Sequence, residues 1–343
     1  MSFSRWCASL PSRLPRAVLA SVVLSLCLAL QAAAADAPAV RRVWVFSDCH
    51  VGLGGITNAD KSVTQWLDVA VKDMQQTKLP VSFVLGLGDL VHESLDDQFQ
   101  KYVAIKKKAG YSPWWEINGN HDYEGVKEGR WEKYINLPPR FTLADGNGIW
   151  IFFSAERSGA GGRISQETLA WLRETIAANS NKNVIVCSHQ PVGHTVARSN
   201  KDHRLLYCPA PGDPAPGLYP GVDPADPDAR REATDVAIQR VEQLVQDVRV
   251  DLWLSGHIHS SSRNKDWIVK KGNTTFINEA SVNPSYGNSN GGSFVLEFQP
   301  GSKTVVARYN NHENGTFMEK FSTTVDFPFA WQPAAKPVMT PAK

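Results

Sequence analysis

Short apolar runs that each stop on a charged or amide-bearing turn constrain this chain more than any other feature. Residues 43–46 read Val-Trp-Val-Phe and stop at Ser47-Asp48. A second run, 81–87, closes on Gly88-Asp89, and a third, 114–117, closes on Asn118-Gly119-Asn120. Residues 149–153 and 184–187 add two more, the latter ending at Ser188-His189, and 251–254 lead into Ser255-Gly256-His257. Between these runs apolar residues recur at helical spacing over 60–76, 95–108, 165–178 and 233–248, with Ser165 placed as an N-cap. Strands alternating with helices predict βαβ units and an α/β chain. Beyond residue 260 the helical pattern stops. Residues 266–271, 274–279, 293–298 and 303–310 read as strands between Gly- and Asn-rich turns, which predicts an antiparallel sheet of hairpins and gives the chain α+β character.

The first 35 residues stand apart. Arg5, Arg13 and Arg16 precede an apolar run over 17–30, no acidic residue occurs, and Ala33-Ala34-Ala35 leads to Asp36. This is the pattern of a removable secretory signal cleaved after Ala35, and it predicts a secreted or periplasmic protein. The run is shorter than the roughly 20 residues a membrane span needs, so no span is expected once the signal is removed. The chain has 36 basic and 34 acidic side chains; without the three signal arginines the balance is 33 against 34. That near-neutrality gives no support to general nucleic-acid binding. Cys49, Cys187 and Cys208 remain, an odd number and too few for a disulfide scaffold; one bridge with a free thiol and three unpaired thiols both stay open. Seven prolines fall within 209–227, which excludes a helix or a central strand and marks a loop insert at about 208–228. Four further prolines beyond Phe327 predict a mobile tail over 327–343, leaving 40–325 as a single catalytic domain.

The turn residues carry the chemistry. Asp48, His50, Asp89, Asn120, His189, His257 and His259 lie just past apolar strand ends, and in open α/β sheets such ends share one edge, where ligands bind. Extended geometry would turn Asp48 and His50 to one side and Cys49 to the other, and likewise His257 and His259 against Ile258. Carboxylate, imidazole and amide oxygen together suit divalent Mn, Fe, Zn or Ni. Seven ligands exceed one tetrahedral ion but suit two ions sharing a carboxylate. Ions about 3.5–4 Å apart acidify a bridging water and neutralise phosphoryl oxygens.

The ordered set Asp48-x-His50, Gly88-Asp89, Gly119-Asn120-His121-Asp122, His189 and Gly256-His257-x-His259 resembles the calcineurin-like metallophosphoesterase superfamily. The resemblance implies a β-sandwich of two sheets flanked by helices. It implies one metal on Asp48, His50, Asp89 and His259, and a second on Asp89, Asn120, His189 and His257, with Asp89 bridging. It implies hydrolysis of a small-molecule phosphate monoester or diester by a metal-bridging hydroxide, with His121 as proton donor to the leaving group. His92, three residues past Asp89, and Asp122 are expected as supporting partners. His92 departs from the tyrosine ligand of purple acid phosphatases and from the orienting aspartate of protein serine/threonine phosphatases. Gln190 stands where many relatives have a second histidine. His194, His203 and His312 are not expected to be ligands, and Arg163, Arg198 and Arg204 are candidate phosphate contacts. A non-catalytic, metal-stabilised extracytoplasmic binding protein on the same fold is the rival reading.

Overall fold

The structure, a computed structural model, describes residues 40–53, 65–156, 161–196, 205–213, 217–218, 230–231, 234–260, 266–284 and 291–342. The expected signal over 1–35, most of the Pro-rich insert, His203, Arg198 and Arg204 lie outside these residues.

Two seven-stranded sheets carry the fold. The chain enters the first with β1 (Arg41–Phe46), β2 (Phe83–Gly86) and β3 (Trp114–Glu116), which pair in parallel in that order. It then builds the second with β4 (Arg140–Asp145), β5 (Gly148–Phe153), β6 (Asn183–Cys187), β7 (Leu252–Ser260), β8 (Ile268–Lys271) and β9 (Thr274–Ala280). Here β5, β6, β7 and β9 are parallel neighbours, while β4 and β8 run antiparallel beside β5 and β9. The chain returns to the first sheet for β10 (Gly292–Phe298), β11 (Thr304–Asn311), β12 (Thr316–Phe317) and β13 (Thr323–Asp326). It closes the second with β14 (Val338–Pro341).

Side-chain alternation along the strands explains the layers. Val43 and Val45 join Trp150, Phe152, Ile185, Leu252 and Phe294 in the core between the sheets. Trp44 and Phe46 turn the other way, onto helices α1 (Trp66–Gln76) and α2 (Asp96–Ala109). Ile149, Ile151 and Phe153 face α3 (Gln166–Ala178) and α4 (Asp235–Asp247). Because both faces are covered, these strands read as continuous apolar runs rather than alternating ones. The Ser165 cap is present: its side chain accepts from the Thr168 amide at 3.1 Å.

Two expectations are corrected. The C-terminal strands do not form one antiparallel sheet of hairpins. The β8–β9 hairpin joins the second sheet, where β9 lies parallel to β7, whereas the β10–β11 hairpin pairs with β1 in the first. The tail is held rather than mobile: Phe327 and Trp331 are buried between the sheets and β14 pairs antiparallel with β4. Pro341 is tolerated because β14 is an edge strand.

Polar side chains clamp that tail. Asn183 donates from Nδ2 to the Phe329 carbonyl (2.9 Å) and accepts the Phe329 amide at Oδ1 (3.1 Å). Asn147 makes the equivalent pair with the Ala330 carbonyl (2.7 Å) and the Gln332 amide (2.8 Å). Asn183→Ala removes both bonds to Phe329 and is expected to cost about 1–3 kcal/mol, roughly the net worth of two hydrogen bonds. A urea titration should show a lower midpoint with the slope preserved; an unchanged midpoint would mean that the clamp contributes nothing.

Cys49, Cys187 and Cys208 are buried and unbridged. Among the described residues no helix is long and apolar enough to cross a membrane.

Candidate metal centre

The turns after β1, β2, β3, β6 and within β7 meet at one edge. Main-chain bonds join the first two: the Asp48 amide donates to the Gly88 carbonyl, His50 to Asp89 and Val51 to Leu90, each at 3.0 Å. The backbone is not extended as anticipated. Asp48, His50, Asp89, His257 and His259 all have positive φ, from 44° to 71°. Such left-handed backbone costs a non-glycine residue of order 1–3 kcal/mol and gathers at functional sites. The expected facing still holds, since Cys49 and Ile258 point into the helix-side cores. Two glycines are required by close approach. A Cβ on Gly119 would lie 2.1 Å from Asp89 Oδ1, and one on Gly256 would lie 1.9 Å from Ser47 Oγ.

Six of the seven expected ligands fall into two overlapping groups of donor atoms. Asp48, His50, Asp89 and His259 form one, and Asp89, His189 and His257 form the other, with donors in each group within 4.8 Å of one another. Asp89 belongs to both. His259 Nε2 is 3.0 Å from Asp48 Oδ1 and 3.3 Å from His50 Nε2, while His50 Nε2 is 3.9 Å from Asp89 Oδ2. In the second group His189 Nε2 lies 3.2 Å from Asp89 Oδ2 and 3.3 Å from His257 Nδ1. Ligands bound at about 2.0–2.2 Å to a common ion stand about 3–4 Å apart, so these spacings fit divalent cations. The seventh residue, Asn120, lies between Gly119, packed on Asp89, and His121, whose amide donates to Asp89 Oδ1 at 2.9 Å. Asn120 Oδ1 and His257 Nε2 are buried without hydrogen-bond partners among the described residues, which is costly unless something else satisfies them.

Neighbouring carbonyls fix two imidazoles. His189 Nδ1 is 2.7 Å from the Leu87 carbonyl, and His121 Nδ1 is 2.6 Å from that of His92. A carbonyl only accepts, so both nitrogens carry hydrogen and each ring has Nε2 left for chemistry. Backbone-anchored imidazoles of this kind are the usual form of metal-ligating histidine.

Charge follows the same geometry. Asp48 and Asp89 are fully buried, and among the described residues neither pairs with Lys or Arg. Burial alone would push both carboxyls up. His259 and His189 outweigh it for Asp48, as do His189, His121 and His50 for Asp89, and both are held low. Burial drops His50 to about 3 and, with His189, pushes His257 well down, so both present neutral imidazole, the ligand form. Burial pulls His189 down too, but Asp89 lifts it to about 9. Two buried carboxylates thus call for positive charge at their shared centre.

Supporting residues divide into those the sequence suggested and those it did not. Asp122 accepts amides of Gly119 (2.8 Å), Val91 (2.9 Å) and Leu90 (3.1 Å), locking the Asn120 turn to the strand end after Asp89. Burial and the Asp89 charge raise it to about 7. His92 lies beside His121 and His50. Asn278 and Ser281 were missed. Asn278 Nδ2 donates to the Gly256 carbonyl at 2.5 Å, and Ser281 Oγ to that of Asp48 at 2.8 Å, steadying two turns that carry candidate ligands. Their position at the end of β9 was the only available signal. Gln190 is fully buried, and neither amide atom is hydrogen-bonded among the described residues. His194 pairs with Glu242 (2.7 Å), and His312 lies between Ser293 (2.8 Å) and Asp73 (3.1 Å); neither joins the ligand groups.

The sequence family described as Calcineurin-like phosphoesterase matches residues 41–261. Over 166 residues the chain is 26% identical to the 3′,5′-cyclic adenosine monophosphate phosphodiesterase CpdA of Haemophilus influenzae, covering 47% of this chain and 57% of that protein. Among solved structures it resembles the purple acid phosphatase PPD1 from yellow lupin, Lupinus luteus. That match has a TM-score of 0.54 and 16% identity, over 84% of this chain and 54% of the lupin chain. The chain therefore spans little more than half the length of either protein. At 16% identity the second likeness speaks for a common fold.

Proposed function

Since this chain belongs to the calcineurin-like phosphoesterase family, we propose that it is an exported phosphoesterase with two divalent ions at the edge built around Asp89. One observation carries the reading: two sets of donors, each spaced for a cation, share the Asp89 carboxylate. Asp48, His50, Asp89 and His259 would hold one ion. Asp89, Asn120, His189 and His257 would hold the other, with Asn120 Oδ1 supplying an atom that has no hydrogen-bond partner among the described residues. Bound Mn, Fe, Zn or Ni would supply a water acidic enough to attack at neutral pH and positive charge for the phosphoryl oxygens.

The chain does the rest. The imidazoles and the carboxylates would hold the ions and keep the charge balance of a buried site. His121 is partly exposed, unlike the buried Asp48, His50, Asp89 and His189, and its Nδ1 is committed to the His92 carbonyl. Its Nε2 is therefore the atom that gives a proton to the departing oxygen. Phosphodiesters, including 3′,5′-cyclic nucleotides, are the first substrates to try, a choice supported by the likeness to CpdA. Export is supported by the Arg-bearing apolar start of the sequence.

The test uses purified full chain of measured metal content. It is assayed on bis(p-nitrophenyl) phosphate, p-nitrophenyl phosphate and 3′,5′-cyclic AMP with Mn, Fe, Zn or Ni. Turnover that chelation removes and metal restores is expected. Stoichiometric metal binding without turnover of any ester would favour the non-catalytic alternative and sink the proposal.

A further inference from the structure

His92 meets the proposed proton donor in two ways. Its main chain is pinned, because its amide donates to the Val51 carbonyl at 3.1 Å, continuing the Val51–Val91 bridge between the first two turns. From that fixed point the His92 carbonyl takes the His121 Nδ1 hydrogen at 2.6 Å. The His92 ring then lies nearly flat on the His121 ring, with centroids 5.2 Å apart and planes 17° from parallel. The His50 ring closes the adjoining edge, 4.7 Å from His121 and perpendicular to it. A single hydrogen bond fixes one atom of an imidazole but leaves the ring free to swing about it. A stacked face removes that freedom.

We infer that His92 is the positioning residue for His121: its carbonyl sets which nitrogen faces the substrate, and its ring sets the plane in which that nitrogen is held. The inference rests on the reading of His121 as donor to the leaving oxygen. Its physical basis is that proton transfer tolerates little misplacement, a shift of about 1 Å costing up to about a hundredfold. A competing use exists. Donor atoms of His50, His92 and His121 lie within 4.8 Å of one another, close enough to hold a further cation. The anchored Nδ1 of His121 favours the positioning role, and the experiment separates the two.

His92→Ala keeps the carbonyl and removes the ring, whereas His92→Phe keeps a flat face without ring nitrogens. On phosphodiesters with alkyl leaving groups, kcat of His92→Ala should fall about tenfold with KM little changed. Its turnover ratio between alkyl and p-nitrophenyl leaving groups should fall with it, and metal content should match the unmodified protein. His92→Phe should recover most of the loss. Equal impairment of both variants, or loss of bound metal in either, would show that the ring nitrogens act on substrate or cation and would overturn the inference. An alanine variant indistinguishable from the parent on alkyl esters would do the same. If the unmodified chain turns over neither ester class with any of the four metals, the functional reading fails instead.

Discussion

Asp89→Asn is expected to remove metal and turnover together. Asp89 Oδ2 faces His189 Nε2 at 3.2 Å and His50 Nε2 at 3.9 Å, while Oδ1 accepts the His121 amide at 2.9 Å. Asparagine can keep the last contact with its amide oxygen. Doing so turns the NH2 group, a donor, toward the imidazoles, where both donor sets need a negative acceptor. The substitution thus preserves shape and one hydrogen bond while removing the only charge common to both groups. Losing an outer partner of a metal ligand typically costs 10–100-fold, so losing a shared ligand should lower turnover by more than about a hundredfold. Metal analysis after dialysis, with rates measured across a metal titration, checks it. Parental metal content with parental rates would remove Asp89 from the centre, and the two-ion proposal with it.

The candidate site was more legible in sequence than the fold that carries it. A strand covered on both faces must be apolar throughout, so a polar residue ends the run where the chain leaves the sheet. Asp48, Asp89 and His189 announce themselves in that way, and their gathering at one edge follows from parallel pairing of β1 with β2 and of β6 with β7. Their backbone was not legible. Positive φ at five candidate ligand positions runs against the preference of the residues themselves and is imposed by the turns, whose hydrogen bonds couple residues far apart in sequence. The extended reading reached the right facing for Asp48 and His50 through the wrong conformation.

Sheet membership was hidden for a different reason. The apolar run of β10 and the period-two pattern of β11 report a hairpin but not its neighbour. Nothing local tells β10 to pair with β1, about 250 residues away, rather than with β9. In the tail the prolines read as breakers, whereas Phe327 and Trp331 are core residues that hold it between the sheets. The Trp331 ring packs at a tilt on Phe298, centroids 4.3 Å apart, and the tail pairs with β4, an element of weak pattern. Its signal, Phe141 and Leu143 alternating with polar residues, is only six residues long.

His121→Ala should separate proton donation from metal binding. His121 shares no donor group with a carboxylate, so the variant is expected to keep its metal. It does lose the Nδ1 bond to the His92 carbonyl and the stacked face, but its amide still reaches Asp89 Oδ1, which holds the Asn120 turn in place. What disappears is a proton source at Nε2. An alkoxide leaves slowly unless protonated, so turnover of alkyl phosphodiesters should fall about 10²–10⁴-fold, the usual worth of a positioned general acid. A p-nitrophenolate leaves unprotonated at neutral pH, and that ester should lose far less. Plotted against leaving-group basicity, log kcat of the variant should therefore slope more steeply than that of the parent. Parallel lines would mean that His121 binds or orients both ester classes alike, and the donor role would have to pass to another group.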